Sequence, residues 1–171
     1  MHHHSAEFLP LNIALLTVSD TRSLAEDKSG DFLQAAIAAA GHKLASRELI
    51  RDDLYRIRAR AATQIAADDV HVLIITGGTG FYARDVTPDA VSCLFDKEVT
   101  GFGEMFRAVS REEIGMATIQ SRAVAGLANR TLVVCLPGST NACRTAWEKI
   151  LCAQLDARTR PCSFVRLLTE Q

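Results

Sequence analysis

The sequence predicts an α/β fold of three layers, in which helices cover both faces of a mostly parallel central sheet. Two features of the pattern lead to this prediction. Short, nearly continuous apolar segments are typical of strands that are buried on both faces. These segments alternate with stretches in which apolar residues recur at helical spacing, which is the order of elements in parallel α/β proteins. A chain of 171 residues, 48% of them apolar and 23% charged, is large enough for one such domain.

The strands are predicted from their apolar and β-branched content. The strongest prediction is Val70–Thr76, which runs directly into a glycine cluster. The other predicted strands are Asn12–Ser19, Lys43–Ile50 and two short strands within Arg122–Leu136, on either side of the turn Ala128-Asn129-Arg130. We predict a single domain over residues 11–171. Residues 1–10, which begin with a run of histidines, are interpreted as a tag remnant or an N-terminal extension and carry no metal hypothesis.

The helices are predicted from an apolar stripe together with capping residues. The first is expected to have Ser29 as its N-cap and to stop at Gly41. Either Asp52 or Asp53 opens the second. Three further helices are predicted. One starts at Thr87-Pro88-Asp89 with the Thr87 hydroxyl as its cap, one covers Glu104–Glu113, and the last runs from Thr140 to a point before Pro161.

Charge and cysteine content exclude several functions. A net charge of −1 gives no electrostatic footprint for nucleic acid or for a membrane surface. No apolar run approaches the roughly 18 residues that a bilayer span requires. The five cysteines form no Cys-x-x-Cys pair, so we expect free thiols in a reducing compartment. With no signal peptide in the pattern, the protein is expected to be cytoplasmic.

The loops that follow the strands are the predicted ligand site, because ligands of open α/β sheets bind beyond the carboxyl ends of the strands. Three unusual loops lie at such ends, and an acidic pair follows a fourth strand. They are Ser19-Asp20-Thr21-Arg22, Thr76–Asp85, Pro137–Thr140 and Asp52-Asp53.

The segment Thr76-Gly77-Gly78-Thr79-Gly80 has neither the lysine of a P-loop nor the glycine spacing of a dinucleotide-binding turn. Its three glycines still allow the backbone to come close to an anion. The alternative is a tight turn that only requires positive φ. We interpret the segment as an anion site.

The carboxylates of Asp52 and Asp85 are candidate ligands of Mg²⁺, which takes one or two carboxylates and leaves its other positions to water and phosphate. Alternatively, Asp52 or Asp53 only caps a helix, and Asp85 only pairs with Arg84. Hydroxyl groups near the same edge, able to bond phosphate or a heterocycle, are those of Ser19, Ser29, Ser121 and Ser139. None has a histidine partner in the pattern, which argues against nucleophilic serine catalysis.

Several motifs, taken in order, resemble the molybdopterin-binding family, which includes the molybdopterin adenylyltransferases and the G domain of gephyrin. They are Thr17-Val18-Ser19-Asp20, Thr76-Gly77-Gly78-Thr79-Gly80, Arg84-Asp85-Val86-Thr87-Pro88-Asp89, Gly101-Phe102-Gly103-Glu104, Ser121-Arg122 and Leu136-Pro137-Gly138-Ser139. The later stretch from Glu113-Ile114-Gly115 to Arg160-Pro161-Cys162 is similar to the molybdenum cofactor biosynthesis protein B branch. The match spans residues 11–162 in order.

The resemblance implies transfer of AMP from Mg-ATP to the phosphate of molybdopterin, with release of pyrophosphate. It gives Asp52 and Asp85 as catalytic and metal-binding acids. The family has proline before the first acid and this chain has Arg51, which leaves Asp53 as the alternative to Asp52. The predicted substrate-binding and nucleotide-binding residues are Ser19, Asp20, Ser29, Thr76, Gly77, Gly78, Thr79, Gly80, Glu104, Ser121, Arg122, Pro137, Gly138 and Ser139.

The resemblance also implies a homo-oligomer, a trimer or a hexamer, and the molybdate-inserting enzyme as a further partner. The segment Gly101–Phe106 gives a weaker hint of a buried surface, although Phe102 and Phe106 are as well explained by the protein's own core. Two other functions stay open: a carrier that holds molybdopterin without chemistry, and a regulator that binds a nucleotide without a pterin. The sequence does not separate ATP from GTP.

Overall fold

The computed structural model describes residues 7–170, and a six-stranded sheet of order β2-β1-β3-β6-β5-β4 forms its centre. Strands β1, β2, β3 and β6 are parallel, whereas β5 is antiparallel to both of its neighbours. The prediction of a mostly parallel sheet is therefore confirmed. The strands are β1 Asn12–Val18, β2 Lys43–Ile50, β3 Val72–Thr76, β4 Lys97–Glu98, β5 Val124–Ala128 and β6 Thr131–Leu136.

Helices follow the parallel strands in the alternation that the sequence predicts. They are α1 Lys28–Ala39, α2 Leu54–Ala66, α3 Thr87–Val91, α4 Thr100–Ile114, α5 Thr140–Ala146 and α6 Val165–Thr169. Helix α5 continues through a π-helical segment, Trp147–Leu151, and a last turn, Cys152–Gln154. Turns of 3₁₀ helix occupy Leu24–Glu26, Ser92–Leu94 and Gly115–Gln120.

The two faces of the sheet bury separate apolar clusters because successive side chains of a strand point to opposite sides. In β1, Ile13 and Leu15 pack on the side of α1, α4, α5 and α6, and Ala14 and Leu16 pack on the side of α2 and α3. The same alternation holds in β3 and β6. The result is the predicted three-layer arrangement, with helices on both faces of the sheet.

The predicted cap of α1 is wrong. Asp27, not Ser29, is the N-cap, because its Oδ1 accepts a hydrogen bond of 3.0 Å from the Gly30 amide. Ser29 lies inside the first turn and is buried. The stop at Gly41 is confirmed, since this residue follows the helix with a φ of +86°.

The predicted cap of α3 is also wrong. Val86 is the N-cap residue and Thr87 is the first helical residue. The Thr87 hydroxyl donates to the carbonyl oxygen of Gly77 at 2.8 Å, and so it holds the glycine segment instead of its own helix. Pro88 lies in the first turn, where its missing amide hydrogen costs nothing.

The remaining boundaries differ only in part from the prediction. The hairpin between β5 and β6 turns at Asn129 and Arg130, both with positive φ, which confirms the predicted turn. Helix α4 begins before Glu104 and includes Gly101 and Gly103.

Of the predicted N-terminal extension, residues 1–6 lie outside the described residues. None of the helices described between residues 7 and 170 is both long and apolar enough to cross a bilayer.

Candidate functional site

The carboxyl ends of four parallel strands lie level at one edge of the sheet. Val18 pairs with Ile50, Thr17 pairs with Thr76, and Thr76 pairs with Leu136. The four predicted loops therefore meet on one rim, which borders a cavity of about 330 Å³. This volume is at the lower end of those that hold small ligands.

The cavity brings together eight of the predicted site residues. They are Gly78, Thr79, Gly80, Asp85, Ser121, Pro137, Gly138 and Ser139. Those that do not line it are Ser19, Asp20, Ser29, Asp52, Thr76, Gly77, Glu104 and Arg122. Glu104 is exposed on α4, whereas the other seven lie at or behind the rim.

The glycine segment needs glycine at its first two glycine positions. Gly77 has a φ of +106°, and a Cβ there would lie 2.1 Å from the Val18 carbonyl oxygen. Gly78 has a φ of +63°, a left-handed conformation that side chains disfavour. Thr87 fixes this turn from below, since its amide donates to the Gly78 carbonyl at 3.0 Å and its hydroxyl to that of Gly77.

The carboxylates of the two candidate metal ligands lie against the same short glycine segment. A Cβ on Gly78 would lie 2.8 Å from Asp52 Oδ1, and a Cβ on Gly80 would lie 2.6 Å from Asp85 Oδ2. Asp85 lines the cavity, whereas Asp52 lies against Gly78 at its edge. The Tyr82 amide donates to Asp85 Oδ2 at 2.8 Å, which orients that carboxylate.

Negative charge accumulates around Asp52. Burial raises the pKa of the Asp52 carboxyl, and the neighbouring charges of Asp20 and Asp85 raise it further. The charge of Arg84 and the backbone hydrogen bond with Asp20 act in the other direction. Asp20 is held close because its Oδ1 accepts a hydrogen bond of 3.2 Å from the Asp52 amide. Among residues 7–170, neither Asp52 nor Asp85 forms a salt bridge, so the alternative of an Arg84–Asp85 ion pair is not observed.

Asp53 and Asp52 have different roles although they are adjacent. Asp53 Oδ1 accepts a hydrogen bond of 2.8 Å from the Arg56 amide and caps α2. The capping alternative is therefore correct for Asp53. Asp52 is left free, with its carboxylate against the glycine segment.

These donors fit a hard cation such as Mg²⁺ better than zinc or copper, because the acids at the rim supply only carboxylate oxygens. Within the described part of the chain, no group of three or more His, Cys, Asp or Glu side chains could hold a metal alone. Two carboxylates are enough for Mg²⁺ when phosphate and water supply the other oxygens. Asp52 and Asp85 are the residues that would hold it.

The turn Pro137-Gly138-Ser139 lines the same cavity, lies beside Gly77, and is fixed by buried hydroxyl groups. Thr76 Oγ1 donates to the Pro137 carbonyl at 3.0 Å, and Ser29 Oγ donates to the Gly138 carbonyl at 2.9 Å. Ser29 is only 1% exposed, so it supports the turn from behind. Ser139 is exposed and its Oγ accepts from the Ala142 amide at the start of α5.

The loop after β1 supports the same turn. The Ser19 hydroxyl accepts hydrogen bonds from the amides of Thr21 and Arg22, which closes a local turn. Arg22 Nη1 then donates to the Gly138 carbonyl at 3.0 Å. The loops after β1 and β6 are thus joined directly.

Two carboxylates of this region are missing from the sequence prediction. Asp27 is fully buried, caps α1, and accepts hydrogen bonds from Thr17 Oγ1 at 2.7 Å and Arg47 Nη2 at 3.1 Å. The Asp-x-x-Gly spacing to Gly30 was the available signal. Glu113 lines the cavity and accepts from Asn141 Nδ2 at 2.6 Å and Thr145 Oγ1 at 2.9 Å. Its partners are distant in sequence, so no local pattern indicates it.

A second cavity, of about 220 Å³, lies between α4, the sheet and the end of α5. Its lining is apolar apart from Gln154 and contains no titratable side chain. This cavity therefore offers no group for acid–base chemistry or for binding a metal.

The chain is similar to known proteins over most of its length. A family model described as a probable molybdopterin binding domain matches residues 14–157. The chain is 54% identical over 164 residues to molybdenum cofactor biosynthesis protein B of Escherichia coli (strain K12), covering 96% of each chain. It is 43% identical to the protein of the same name from Bacillus cereus, covering 82% of this chain and 84% of that one.

Solved structures are similar over most of their length. A crystal structure of a molybdenum cofactor biosynthesis protein B superposes with a TM-score of 0.83 at 41% identity, covering 86% of this chain and 92% of that chain. A tungsten cofactor synthesizing protein from Pyrococcus furiosus superposes with a TM-score of 0.76 at 35% identity, covering 83% and 91%.

Proposed function

The chain belongs to the molybdopterin-binding family of molybdenum cofactor biosynthesis, and from that premise we propose that it adenylylates molybdopterin with Mg-ATP. In this reaction an oxygen of the molybdopterin phosphate bonds to the α-phosphorus of ATP. The bond from that phosphorus to the bridging oxygen of the β-phosphate breaks, and pyrophosphate leaves with the electron pair. The observation that carries the proposal is that the carboxylates of Asp52 and Asp85 both lie against one glycine segment.

The chain's own residues act mainly by positioning. The glycine segment has no side chain at Gly78 or Gly80, so phosphate oxygens can approach its backbone closely. Asp85 faces the cavity with its carboxylate oriented by the Tyr82 amide. The attacking phosphate is already ionised at neutral pH, so no side chain is needed to remove a proton from it.

Charge in the site favours a bound cation. The negative charges of Asp20 and Asp85 both act on Asp52, and none of these three acids has a salt-bridge partner among residues 7–170. When bound, Mg²⁺ neutralises charge on the reacting phosphates and on the leaving pyrophosphate. The exposed Arg84 lies near Asp52 and adds a cation that can attract the nucleotide.

The polar part of the cavity lining outside the glycine segment is the proposed place for the pterin. Ser121, Ser139, Asn141 and Glu113 supply donors and acceptors there, and Phe106 and Ala142 supply apolar surface. This mixture suits a flat, polar heterocycle, which offers both ring faces and hydrogen-bonding edges. The adenylylated product would pass to a molybdate-inserting enzyme as the next partner.

The experiment is to incubate the purified protein with molybdopterin, Mg²⁺ and ATP and to look for adenylylated molybdopterin and pyrophosphate. Parallel reactions with EDTA, and with GTP in place of ATP, test the metal and the nucleotide. Product that requires Mg²⁺ supports the proposal. Tight binding of molybdopterin without any product would support the carrier instead, and binding of ATP alone would support the regulator.

A further inference from the structure

We propose that Arg122 is a positioning residue, which fixes the segment Gly80–Asp85 and through it the Asp85 carboxylate, and does not contact the ligand. The inference rests on the proposed function, in which Asp85 is a catalytic acid. It differs from the role that the sequence predicts for Arg122, which is direct binding of substrate or nucleotide.

The guanidinium of Arg122 bonds to both ends of the segment that carries Asp85. Its Nε donates to the Gly80 carbonyl at 2.9 Å, and its Nη2 donates to the backbone carbonyl of Asp85. The Arg122 amide also donates to the Thr79 carbonyl at 3.2 Å. One residue thus holds three carbonyl groups of the glycine segment and the loop that follows it.

Asp89 on α3 fixes the orientation of the guanidinium. Nη2 lies 3.0 Å from Asp89 Oδ2, and Nη1 lies 3.3 Å from Asp89 Oδ1. Together with the two carbonyl bonds, these contacts use four of the five N–H groups of the guanidinium. Too few donors remain for the two parallel bonds with which arginine binds a phosphate.

The position of Arg122 also separates it from the ligand. Ser121 lines the cavity, whereas Arg122 does not. The ring of Phe81 covers the guanidinium from another side, with its centroid 5.6 Å away. The guanidinium of Arg122 therefore contacts the loop backbone and Asp89, and it does not face the cavity.

The backbone of the loop in turn determines where the Asp85 carboxylate lies. The Asp85 amide donates to the Tyr82 carbonyl at 2.8 Å, and the Tyr82 amide donates back to Asp85 Oδ2. This closed turn fixes the carboxylate relative to its own backbone. Since Arg122 fixes that backbone at Gly80 and Asp85, a change at Arg122 moves the carboxylate relative to the cavity.

Arg122→Lys separates the two roles because lysine keeps the charge but has one point-like ammonium group. A residue that bound phosphate by charge would retain much of its function as lysine. A residue that holds two carbonyls and a carboxylate in fixed directions would not. Asp89→Asn gives a second test, since Asp89 does not line the cavity and neutralising it loosens only the guanidinium.

The experiment measures adenylyl transfer and backbone amide hydrogen exchange in wild type, Arg122→Lys, Asp89→Asn and the double variant. Arg58→Lys is the matched control, because Arg58 donates to the carbonyls of Asp89 and Ala90 on the same helix but does not touch the glycine loop. We expect Arg122→Lys to lower kcat at least tenfold with little change in KM for ATP. Asp89→Asn should lower kcat less, and the double variant should be no worse than Arg122→Lys.

Hydrogen exchange at the amides of Tyr82 and Asp85 should accelerate in Arg122→Lys and not in Arg58→Lys. This readout does not depend on turnover, so it tests the inference even if the protein makes no adenylylated product. A raised KM for ATP with unchanged kcat and unchanged exchange would overturn the inference in favour of a phosphate contact. Normal kcat in Asp89→Asn together with normal exchange in Arg122→Lys would overturn it as well.

Discussion

Asp52 and Asp53 show how two identical neighbouring side chains acquire different roles. The sequence places both at the start of a helix, where either could be the cap. The backbone decides between them, because Asp53 has the extended conformation of an N-cap and its carboxylate reaches the Arg56 amide. Asp52 then lies against the glycine segment, next to Asp20, which is 32 residues away in the chain. Local pattern predicts an acid here but not which one.

We expect Asp52→Asn and Asp85→Asn each to abolish adenylyl transfer while the fold is kept. Both side chains are partly exposed, so the change acts mainly on charge. Loss of such a group costs on the order of 10²–10³ in rate, by analogy with the loss of a transition-state donor. The measurement is turnover at saturating Mg²⁺ with a thermal melt of each variant.

Asp53→Asn is the control for this pair, because asparagine caps a helix as well as aspartate does and activity should survive. Near-normal turnover of Asp85→Asn would refute its metal role. If Asp53→Asn were inactive and Asp52→Asn active, the assignment within the pair would be reversed.

The acid cluster also predicts a pH dependence. Burial and the charge of Asp20 raise the pKa of Asp52, so Asp52 becomes protonated, and loses its affinity for a cation, at a higher pH than an ordinary aspartate. Asp20→Asn removes a negative neighbour and lowers that pKa, while the amide oxygen can still accept from the Asp52 amide. The acidic limb of kcat/KM should therefore move to lower pH. An unchanged limb, or one that moves to higher pH, would show that Asp52 does not govern it.

At the scale of the element, the turn of the glycine segment depends on residues far along the chain. Gly78 has positive φ, and any Cβ there would lie 2.5 Å from Thr87 Oγ1 as well as near Asp52. In contrast, a Cβ at Gly101, in the first turn of α4, would meet no atom of a neighbouring element within 4 Å. A side chain is therefore excluded at Gly78, whereas there is space for one at Gly101.

We expect Gly78→Ala to destabilise the protein by about 1–3 kcal/mol, the range for a non-glycine residue held in a sparsely populated conformation. It should also displace Asp52 and weaken nucleotide binding. Gly101→Ala should raise the free energy of unfolding by up to about 1 kcal/mol, because alanine favours the helix. Chemical denaturation measures both. A stable Gly78→Ala variant with normal nucleotide affinity would show that the segment is only a tight turn and does not bind the nucleotide.

The two helix caps that were predicted wrongly from the sequence have the same physical explanation. Ser29 and Thr87 both have residue types that cap helices, yet each hydroxyl bonds to a carbonyl of a distant loop, Gly138 and Gly77 respectively. Capping preferences describe a local competition, and here a long-range contact takes the hydroxyl. Strands β1, β3 and β6 were predictable because they are buried on both faces and therefore consist of nearly continuous apolar residues. The two-residue edge strand β4 is exposed, has no such pattern, and was not predicted.

For the whole molecule, the order of strands and helices is enough to predict which loops meet at the rim of the sheet. Parallel strands in register bring their carboxyl ends together, so loops separated by many residues converge. The wall formed by α4 and α5 was not predictable in this way. Glu113 contacts Asn141 and Thr145 across 28 and 32 residues, and nothing in the chain's periodicity relates those positions.

The surface of the whole molecule bears on its assembly. Phe102 and Phe106 are 6% and 2% exposed and belong to the protein's own core, so they give no sign of an interface. One group of exposed apolar side chains near the cavity consists of Ile114, Met116 and Ile119, on the end of α4 and the 3₁₀ turn that follows. Clusters of exposed apolar side chains mark surfaces that bury one another.

We expect the protein to be a homo-oligomer built from trimers. The family resemblance implies the stoichiometry, and the exposed patch is the surface that we expect to be buried in the contact. Light scattering at micromolar concentration should give three or six times the chain mass of 18.6 kDa. Met116→Glu combined with Ile119→Glu should shift the distribution to smaller species, since two charges would be buried at the contact. Leu167→Glu, at a residue of similar exposure on α6, is the control and should leave the mass unchanged. A single-chain mass at every concentration, or a stable dimer, would contradict the trimeric unit. If the double variant were still a trimer, the predicted assembly would be correct but its interface would lie on another surface.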